Sequence, residues 1–537
     1  MKTSKLLLTG AALCLTTISL TACGQKQNSQ QQVLNWMTTA EVPTMDNSKS
    51  YDSVSNTQLS NVDEGLYRSG KDAKIEPALA KSVKTYNNQT KWVFTLRKAK
   101  WSNGDPVTAQ DFVYAWRRTI NPKTAAQNAY LYEGMIKNAS AIADKKKPVS
   151  ALGIKALSKY KLEVDLETHT PYFKQLLTEP LFFPQNKKVV EKYGSKYGTA
   201  SKYTVYNGPY VQKGWSPATL NWKLVKNKQY WDKDKVKLQQ INFSVQKTPS
   251  TSYNLYRQGK LDTTYLDMSQ TKQLKGNSDY ILRPAAMTEY IEFNQQDNTA
   301  LKNENVRKAI ALAINRKALC QTLGGANKPA NTLTATNVVK TGGKDYTSLI
   351  SKQAKQMSTL NKKKAQAYLD KGLKELGKKH LTFTILFDDN DSAKRVTETL
   401  QSQLETNLKG LKINVQNVPY KTRLNRAINQ QFQIVVTSWS TDFADPISFL
   451  QLVQSKNDNN DGKYSNSTFD SLLQQASQTT NDTARMKLLA KAEDTVLNTA
   501  GITTLYYPSQ AWLMKSKVKG LIYSATGGYN FKQVYIK

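Results

Sequence analysis

A large α/β protein with more than one domain is the fold class this sequence predicts, and three observations predict it. Short apolar runs that read as strands alternate with amphipathic helical patterns along most of the chain. No segment repeats at a fixed period, which sets solenoids and propellers aside. With 537 residues the chain can bury large cores, and that length suggests about two to four domains.

The N-terminus reads as a leader rather than as part of the fold. Lys2 and Lys5 form a basic start, and residues 6–20 are an apolar stretch short for a membrane span. Leu20-Thr21-Ala22-Cys23 matches a bacterial lipobox, so residues 1–22 are expected to be a lipoprotein signal peptide and Cys23 the lipidated mature N-terminus. Polar, low-complexity residues 23–32 then read as a flexible tether. Cys14 leaves with the leader, and Cys320 is the remaining thiol of the folded body. No intramolecular disulfide can form there, and Cys320, in an apolar run, reads as a core residue.

Val33-Leu34-Asn35-Trp36-Met37 is the first expected strand. Polar residues through Tyr51-Asp52-Ser53 lead to a helix expected to end near Glu64-Gly65-Leu66-Tyr67. Trp92, Phe94 and Leu96 alternate with Val93, Thr95 and Arg97 as one face of a strand. Thr108 and Asp111 have the spacing of a capping box, and Phe112, Val113, Trp116 and Ile120 then share a helical face. Val306, Ile310, Ala313 and Ile314 repeat that pattern; residues 334–358 read only as a loop. Strand 381–387 and helix 393–408 restore a β-α alternation.

The segment Gln433-Ile434-Val435-Val436-Thr437-Ser438-Trp439-Ser440-Thr441-Asp442-Phe443-Ala444-Asp445-Pro446 draws the most chemistry. Its β-branched run reads as a buried strand, and Asp445-Pro446 as a closing turn. A carboxylate behind an indole at the mouth of a buried strand is costly unless a cation meets it. No Lys or Arg lies between Gln431 and Gln454. The partner of Asp442 is therefore a distant segment or a ligand, unless Asp442 simply caps the next helix.

Lys and Arg number 76 against 41 Asp and Glu, a net charge of +35 that losing Lys2 and Lys5 lowers to +33. Such a balance fits polyanionic surroundings. The basic residues are spread along the chain, as in Lys145-Lys146-Lys147 and Lys362-Lys363-Lys364. No aromatic-interleaved basic strand of the kind that binds nucleic acid stands out. With an export leader, an anionic envelope surface is the simpler partner, and no nucleic acid is expected.

Catalytic constellations are scarce. The two histidines, His169 and His380, lie far apart and read as surface residues. They cannot build a metal site with the cysteines available. No nucleophile elbow, P-loop or dinucleotide fingerprint is present. Ser158-Lys159-Tyr160-Lys161 and Lys340-Thr341-Gly342 imitate two motifs of penicillin-binding enzymes, but the intervening Ser-Asp-Asn is missing. No catalytic residue, metal or cofactor is expected, and an envelope enzyme of that type is the distant alternative.

Trp439-x-x-Asp442-Phe443-x-Asp445-Pro446, followed by Asn459-Asn460 and Tyr464-Ser465, resembles the oligopeptide-binding proteins of ABC importers. The block KWSNGDPVTAQDFVYAWRRTINP, with Asn207-Gly208-Pro209-Tyr210, Tyr256-Arg257-Gln258-Gly259, Glu292-Phe293-Asn294 and Leu505-Tyr506-Tyr507-Pro508, extends the likeness over most of the mature chain. The resemblance implies a bilobal periplasmic-binding-protein-like α/β fold (type II, cluster C) with an extra inserted domain. Lobe I would comprise 33–63, 188–288 and 508–537; the extra domain 64–187; lobe III 289–507. It implies a lipid-anchored, monomeric receptor on the extracytoplasmic face of the cell membrane, at a Gram-positive surface. Such a receptor binds oligopeptides and hands them to permease subunits of an ABC importer. A signalling peptide, a cell-wall peptide or another solute is the alternative ligand.

By the same resemblance Asp442 would receive the peptide's α-ammonium, and Ser438-Trp439-Ser440 and Tyr51-Asp52-Ser53 would flank its backbone as pairing strands. Tyr114, Tyr265 and Tyr290 fall near pocket-lining positions of relatives, although ordinary packing explains a tyrosine equally well in a chain with 28 of them. Enteric relatives carry arginines that can receive a peptide's carboxylate where this chain has Ala427 and Val436. The expectation is an unanchored carboxylate end that admits peptides longer than about five residues.

Overall fold

The computed structural model describes residues 32–537 except 51, 72, 73, 297, 390, 442, 456, 458 and 527. The chain opens with β1 (Val33–Thr38) and α1 (Ser53–Val62), then builds a second body from β2 (Ala80–Tyr86), β3 (Lys91–Leu96), α2 (Ala109–Ile120), β4 (Ile154–Ser158) and β5 (Lys161–Asp165). It returns to the first body for β6 (Tyr210–Lys213), β7 (Asn221–Lys226), β8 (Gln240–Val245), β9 (Thr263–Tyr265), α3 (Met268–Leu274) and β10 (Tyr280–Pro284). A third body follows, opening with β11 (Met287–Phe293), α4 (Glu304–Ala313), α5 (Lys362–Glu375), β12 (Leu381–Asp388) and α6 (Asp391–Asn407). It is completed by β13 (Leu411–Val418), α7 (Tyr420–Ile428), β14 (Ile434–Ser440), α8 (Ser467–Gln478), α9 (Asp482–Asn498) and β15 (Ile502–Tyr507). Finally β16 (Ser509–Met514), β17 (Ile522–Ser524) and β18 (Gly528–Asn530) rejoin the first body.

The first body holds a four-stranded sheet in the order β1-β8-β7-β6, with β1 parallel to β8 and Trp36 opposite Phe243. Beside it β16 lies between β9 and β10. Leu34 and Trp36 alternate inward as a strand requires. Trp36 stacks on Trp512 at 6.4 Å and meets Phe531 edge-on at 5.0 Å. Those ring contacts, favourable beyond their buried area, tie the two chain ends into one core.

Helix α1 stops at Val62, short of the expected end. Asp63 turns extended and its N–H closes on the Leu59 carbonyl at 2.8 Å. The reason is a buried polar junction between the first two bodies. Glu64 donates its N–H to Asn207 Oδ1 at 2.9 Å, pairs with Arg68, and accepts from the Tyr230 hydroxyl at 2.8 Å. Burial pushes the Asp63 carboxyl up to about 7. Satisfying these groups outweighs helix propensity.

In the second body β2-β3-β5-β4 form an antiparallel sheet. Trp92, Phe94 and Leu96 face its core together with Phe112, Val113, Trp116 and Ile120 of α2. Asp111 caps that helix as its spacing predicts: its carboxylate accepts the Thr108 N–H at 2.7 Å. Burial pushes Asp111 up to about 6.

The third body is a six-stranded mixed sheet in the order Lys328–Pro329, β15, β11, β14, β12, β13. α4, α5 and α6 pack on one face, and α8 and α9 bury the other. A sheet covered on both faces needs strands apolar throughout, which is why Ile434, Val435 and Val436 are consecutive and all buried. The segment read only as a loop, 334–358, contributes Val338, Val339, Tyr346 and Ile350 to this core. Its Thr334 donates both N–H (2.9 Å) and hydroxyl (2.7 Å) to the buried Glu493. Cys320 is buried as expected, its thiol pushed up to about 12 by burial. His380 is exposed, but His169 is half-buried, with both ring nitrogens sheltered from solvent.

Glu292, on the inner face of β11, is 3 % exposed; burial, with the like charge of Asp461 beside it, pushes its carboxyl up from 4.5 to about 8. The folded chain therefore holds a proton between those pH values that the unfolded chain releases, and this contribution is complete below about pH 4.5 and lost as pH rises through about 8. Glu292→Gln should remove it. Urea unfolding at pH 5 and pH 8.5 should show wild type losing ground to the variant at the higher pH; parallel behaviour would contradict the assignment.

Candidate functional site

Two chain crossings join the first and third bodies side by side. β10 runs into β11 through Ala285 and Ala286, and β15 runs into β16 through Pro508. Each pair is antiparallel, β10 with β16 and β11 with β15, and the Ala285 N–H donates to the Pro508 carbonyl at 2.9 Å. Above these crossings opens a cavity of 770 Å³, within the usual range for ligand sites of roughly 300–1,000 Å³. All three bodies line it: Trp36 and Trp512 from the first, Asn128 and Leu181 from the second, Asn327 and Thr441 from the third.

Its walls are mostly hydroxyls, amides and aromatic rings, with few charges. Glu179, Asp267 and Arg283 are the charged side chains among its described lining residues. Asp267 is spent on capping α3, where it accepts the Gln270 N–H at 2.8 Å. Arg283, at the end of β10, lies over the rings of Tyr523 (5.1 Å) and Tyr529 (5.6 Å) on the β17–β18 hairpin. Burial pushes the Tyr523 phenol up to about 12, against the pull of the Arg283 charge.

β14 carries the central motif from core to cleft. Ile434, Val435 and Val436 are buried, Thr437 and Trp439 half-buried, and Ser438 and Ser440 exposed. On one side β14 pairs with β11 throughout, Trp439 opposite Thr288 and Ser440 opposite Met287. On the other it pairs with β12 only at Ile434 and Val435. Past that point no strand borders this edge among the described residues, so the backbone of 436–440 offers an open pairing edge. Ser440 and Thr441 line the cavity; the Trp439 indole N–H is sheltered with no partner.

Beyond Thr441 the motif turns into a joint between bodies. Phe443 enters the core of the second body and stacks on Tyr172 at 4.5 Å. Asp445, fully buried, meets Arg485 of α9 in a two-pronged pair of 2.7 and 2.8 Å. The sequence placed a carboxylate in need of a distant cation here; for Asp445 that cation is Arg485. Asn460, buried, bonds the Gln454 and Tyr464 carbonyls at 3.0 and 2.8 Å and so holds the following loop.

Of the other expected site residues, Asp442, Tyr51 and Cys23 lie outside the described residues. Ser53 lines the cavity, but as the first residue of α1. Asp52 caps that helix through the Ser55 N–H at 2.8 Å, so from Ser53 onward the expected pairing strand is a helix; its Oδ2 is sheltered with no partner. Tyr265 (8 % exposed) packs against Trp512 at 5.9 Å, and Tyr290 (3 %) points into the core of the third body. Tyr114 packs with Val189, Val190 and Tyr197. None of these three tyrosines lines the cavity. Ala427 and Val436 are buried in apolar clusters. Sequence reasoning missed Trp36, Trp512, Tyr529 and Arg283. They converge from strands far apart in the chain, and no local motif marks them.

Residues 74–461 match the family model described as bacterial extracellular solute-binding proteins, family 5 Middle. A dipeptide-binding protein of Lactococcus lactis subsp. cremoris is 36% identical over 558 aligned positions, covering 100% of both chains. Among solved structures, Listeria monocytogenes OppA bound to peptide is 38% identical over 95% of this chain and 100% of that one, with a TM-score of 0.72. The murein tripeptide binding protein MppA, in its unliganded open form, is 27% identical over 95% and 98% of the two chains, yet reaches 0.82. Geometric likeness thus runs against sequence identity, as it does when the bodies of one fold are set at different angles.

Removing one partner of a buried pair strands the other charge. Asp445→Asn or Arg485→Met should each destabilise the fold by about 3–5 kcal/mol, read as a lowered midpoint in urea. The double variant should lose less than the two losses added together; simple additivity would show that the pair is not coupled.

Proposed function

The chain belongs to the bacterial extracellular solute-binding proteins of family 5, and from that premise we propose that its cleft is the peptide site of a receptor serving an ABC importer. It is a binding protein rather than an enzyme, of the bilobal α/β type with a third, inserted domain. The observation that carries the reading is the cavity of hydroxyls, amides and rings above two antiparallel crossings, reached at Ser440 by the open strand edge of 436–440. A peptide presents the same backbone donors and acceptors whatever its side chains, so an added strand gives affinity without strict sequence choice. Hydroxyl and amide walls leave room for water around varied side chains.

In this reading lobe I comprises 33–63, 188–288 and 508–537, the inserted domain 64–187, and lobe III 289–507. The lobes close over the peptide by rotation at Ala285–Ala286 and Pro508. Support comes from the likeness to an open, unliganded relative. Ser438, Trp439 and Ser440 pair with the peptide backbone, Asp52 and Ser53 border it, and Asp442 takes its α-ammonium. Thr441, next to Asp442, lines the cavity, and Asp445 is already matched by Arg485. The receptor acts as a monomer and passes peptide to permease subunits in the membrane. Asp442→Asn should weaken free-amino peptides by about 3–5 kcal/mol and N-acetylated ones little, measured by calorimetry. Equal loss for both would remove Asp442 from that role.

Among the described residues no helix is long and apolar enough to cross a membrane. Attachment falls to a lipid on Cys23, helped by the basic surface beside an anionic envelope, since one acyl group alone holds weakly. Cys23→Ala should abolish labelling by a palmitate analogue and release the protein into the medium. Retention on the cells with undiminished labelling would exclude Cys23 as the acceptor.

A further inference from the structure

Most of the sheltered arginines are answered by oxygen. Arg485 meets Asp445, Arg423 meets Asp388 at 2.7 Å, and Arg118 meets Asp46 at 2.6 Å. Arg307 donates to the carbonyls of Leu301, Lys302, Thr499 and Ala500, and Arg316 to those of Ala311, Ile314, Ser358 and Thr504. Arg283 differs. Its Nε is sheltered and has no partner, its Nη2 reaches only the Met514 sulfur at 3.9 Å, and no ion pair involves it among the described residues. What holds it is the pair of tyrosine faces, Tyr523 and Tyr529, and its charge also acts on the Tyr529 phenol. Tyr523 is itself fixed, its hydroxyl donating to the Pro284 carbonyl at 2.7 Å.

A half-buried guanidinium that pairs with neither carboxylate of its cavity, Glu179 or Asp267, has given up hydration mainly for ring contacts. Its planar fork matches a carboxylate better than any other common peptide group. Its position fits as well: Arg283 is the last residue but one of β10, two residues before Ala285, so an anion held there lies on the floor of the cleft where the bodies meet. The two lobe III positions where relatives carry arginines are apolar and buried here, at Ala427 and Val436.

We propose that Arg283, clamped between Tyr523 and Tyr529 on the cleft floor, is the receptor's carboxylate-binding residue and sets a preference for peptides with an anion at that place. The inference rests on the peptide reading above and replaces the expectation of an unanchored carboxylate end. The carboxylate is either the peptide's C-terminus or an acidic side chain.

Calorimetry with three peptides of one length tests it: a free acid of neutral residues, its C-terminal amide, and that amide with one glutamate near the end. Wild type should bind one of the carboxylate-bearing peptides about 10–100-fold tighter than the plain amide, the range for a hydrogen-bonded charge. A tight free acid identifies the C-terminus as the source, and a tight glutamate amide the side chain. Arg283→Gln should bring that ratio close to one, and Arg283→Lys should keep part of it, since charge remains but the fork is lost. The ratio is taken within one variant, so a reduced folded fraction does not distort it. An unchanged ratio in Arg283→Gln overturns the proposal, as does a wild type indifferent to all three peptides. A wild type that binds none of them overturns the peptide reading itself, and this inference with it.

Discussion

The hydrogen bond from the Ala285 N–H to the Pro508 carbonyl, 2.9 Å long, closes a junction on which the rest of the architecture depends. Two strands enter it from the small sheet of the first body and leave it in the six-stranded sheet of the third. Because they are antiparallel neighbours on both sides, the two bodies share a narrow, paired support. The few residues that link the two sheets can change φ and ψ without breaking either sheet. The cavity lies over that support, so its shape is a property of the angle between bodies.

Around this junction, buried charge follows a consistent division. Where the second body meets the other two, buried carboxylates are answered: Glu64 by Arg68, Tyr230 and Trp231 between the first and second bodies, Asp445 by Arg485 where the third body meets the second. A satisfied buried pair adds little net stability but penalises any arrangement that separates it, so these pairs fix how the bodies dock. Phe443 on Tyr172 adds apolar area at the second joint. In the cavity, by contrast, the Arg283 Nε has no partner, and the Trp439 indole N–H and the Asp52 Oδ2, each next to a lining residue, are sheltered without one. Groups left unanswered in a cleft gain most when a ligand supplies the partner.

Much of the fold was legible because local physics and tertiary environment agreed. The alternation at Trp92, Phe94 and Leu96, the capping pair Thr108–Asp111 and the continuous apolar run at Ile434–Val436 each state a burial requirement within a few residues. Where local and long-range demands conflicted, reading failed. Helix α1 ends early because Asp63 and Glu64 are claimed by Asn207 and Tyr230, more than a hundred residues away. The tyrosines at 114, 265 and 290 pack into cores because a ring is amphipathic, and sequence does not say which of its ends a cavity will meet.

By itself the sequence determined the strand and helix periodicities, the leader pattern, the shortage of metal-ligating and nucleophilic groups, and a carboxylate-bearing motif at the end of a buried strand. Those are properties of residue types within one or two turns of chain. Only the tertiary structure decided that Arg485 neutralises Asp445, that β14 keeps an open edge past Val435, and that Arg283 faces a cavity between two tyrosines. Each of those depends on which distant segment arrives beside it. Charge compensation and strand pairing act through space, and one chain of residues does not specify its spatial neighbours until it is folded.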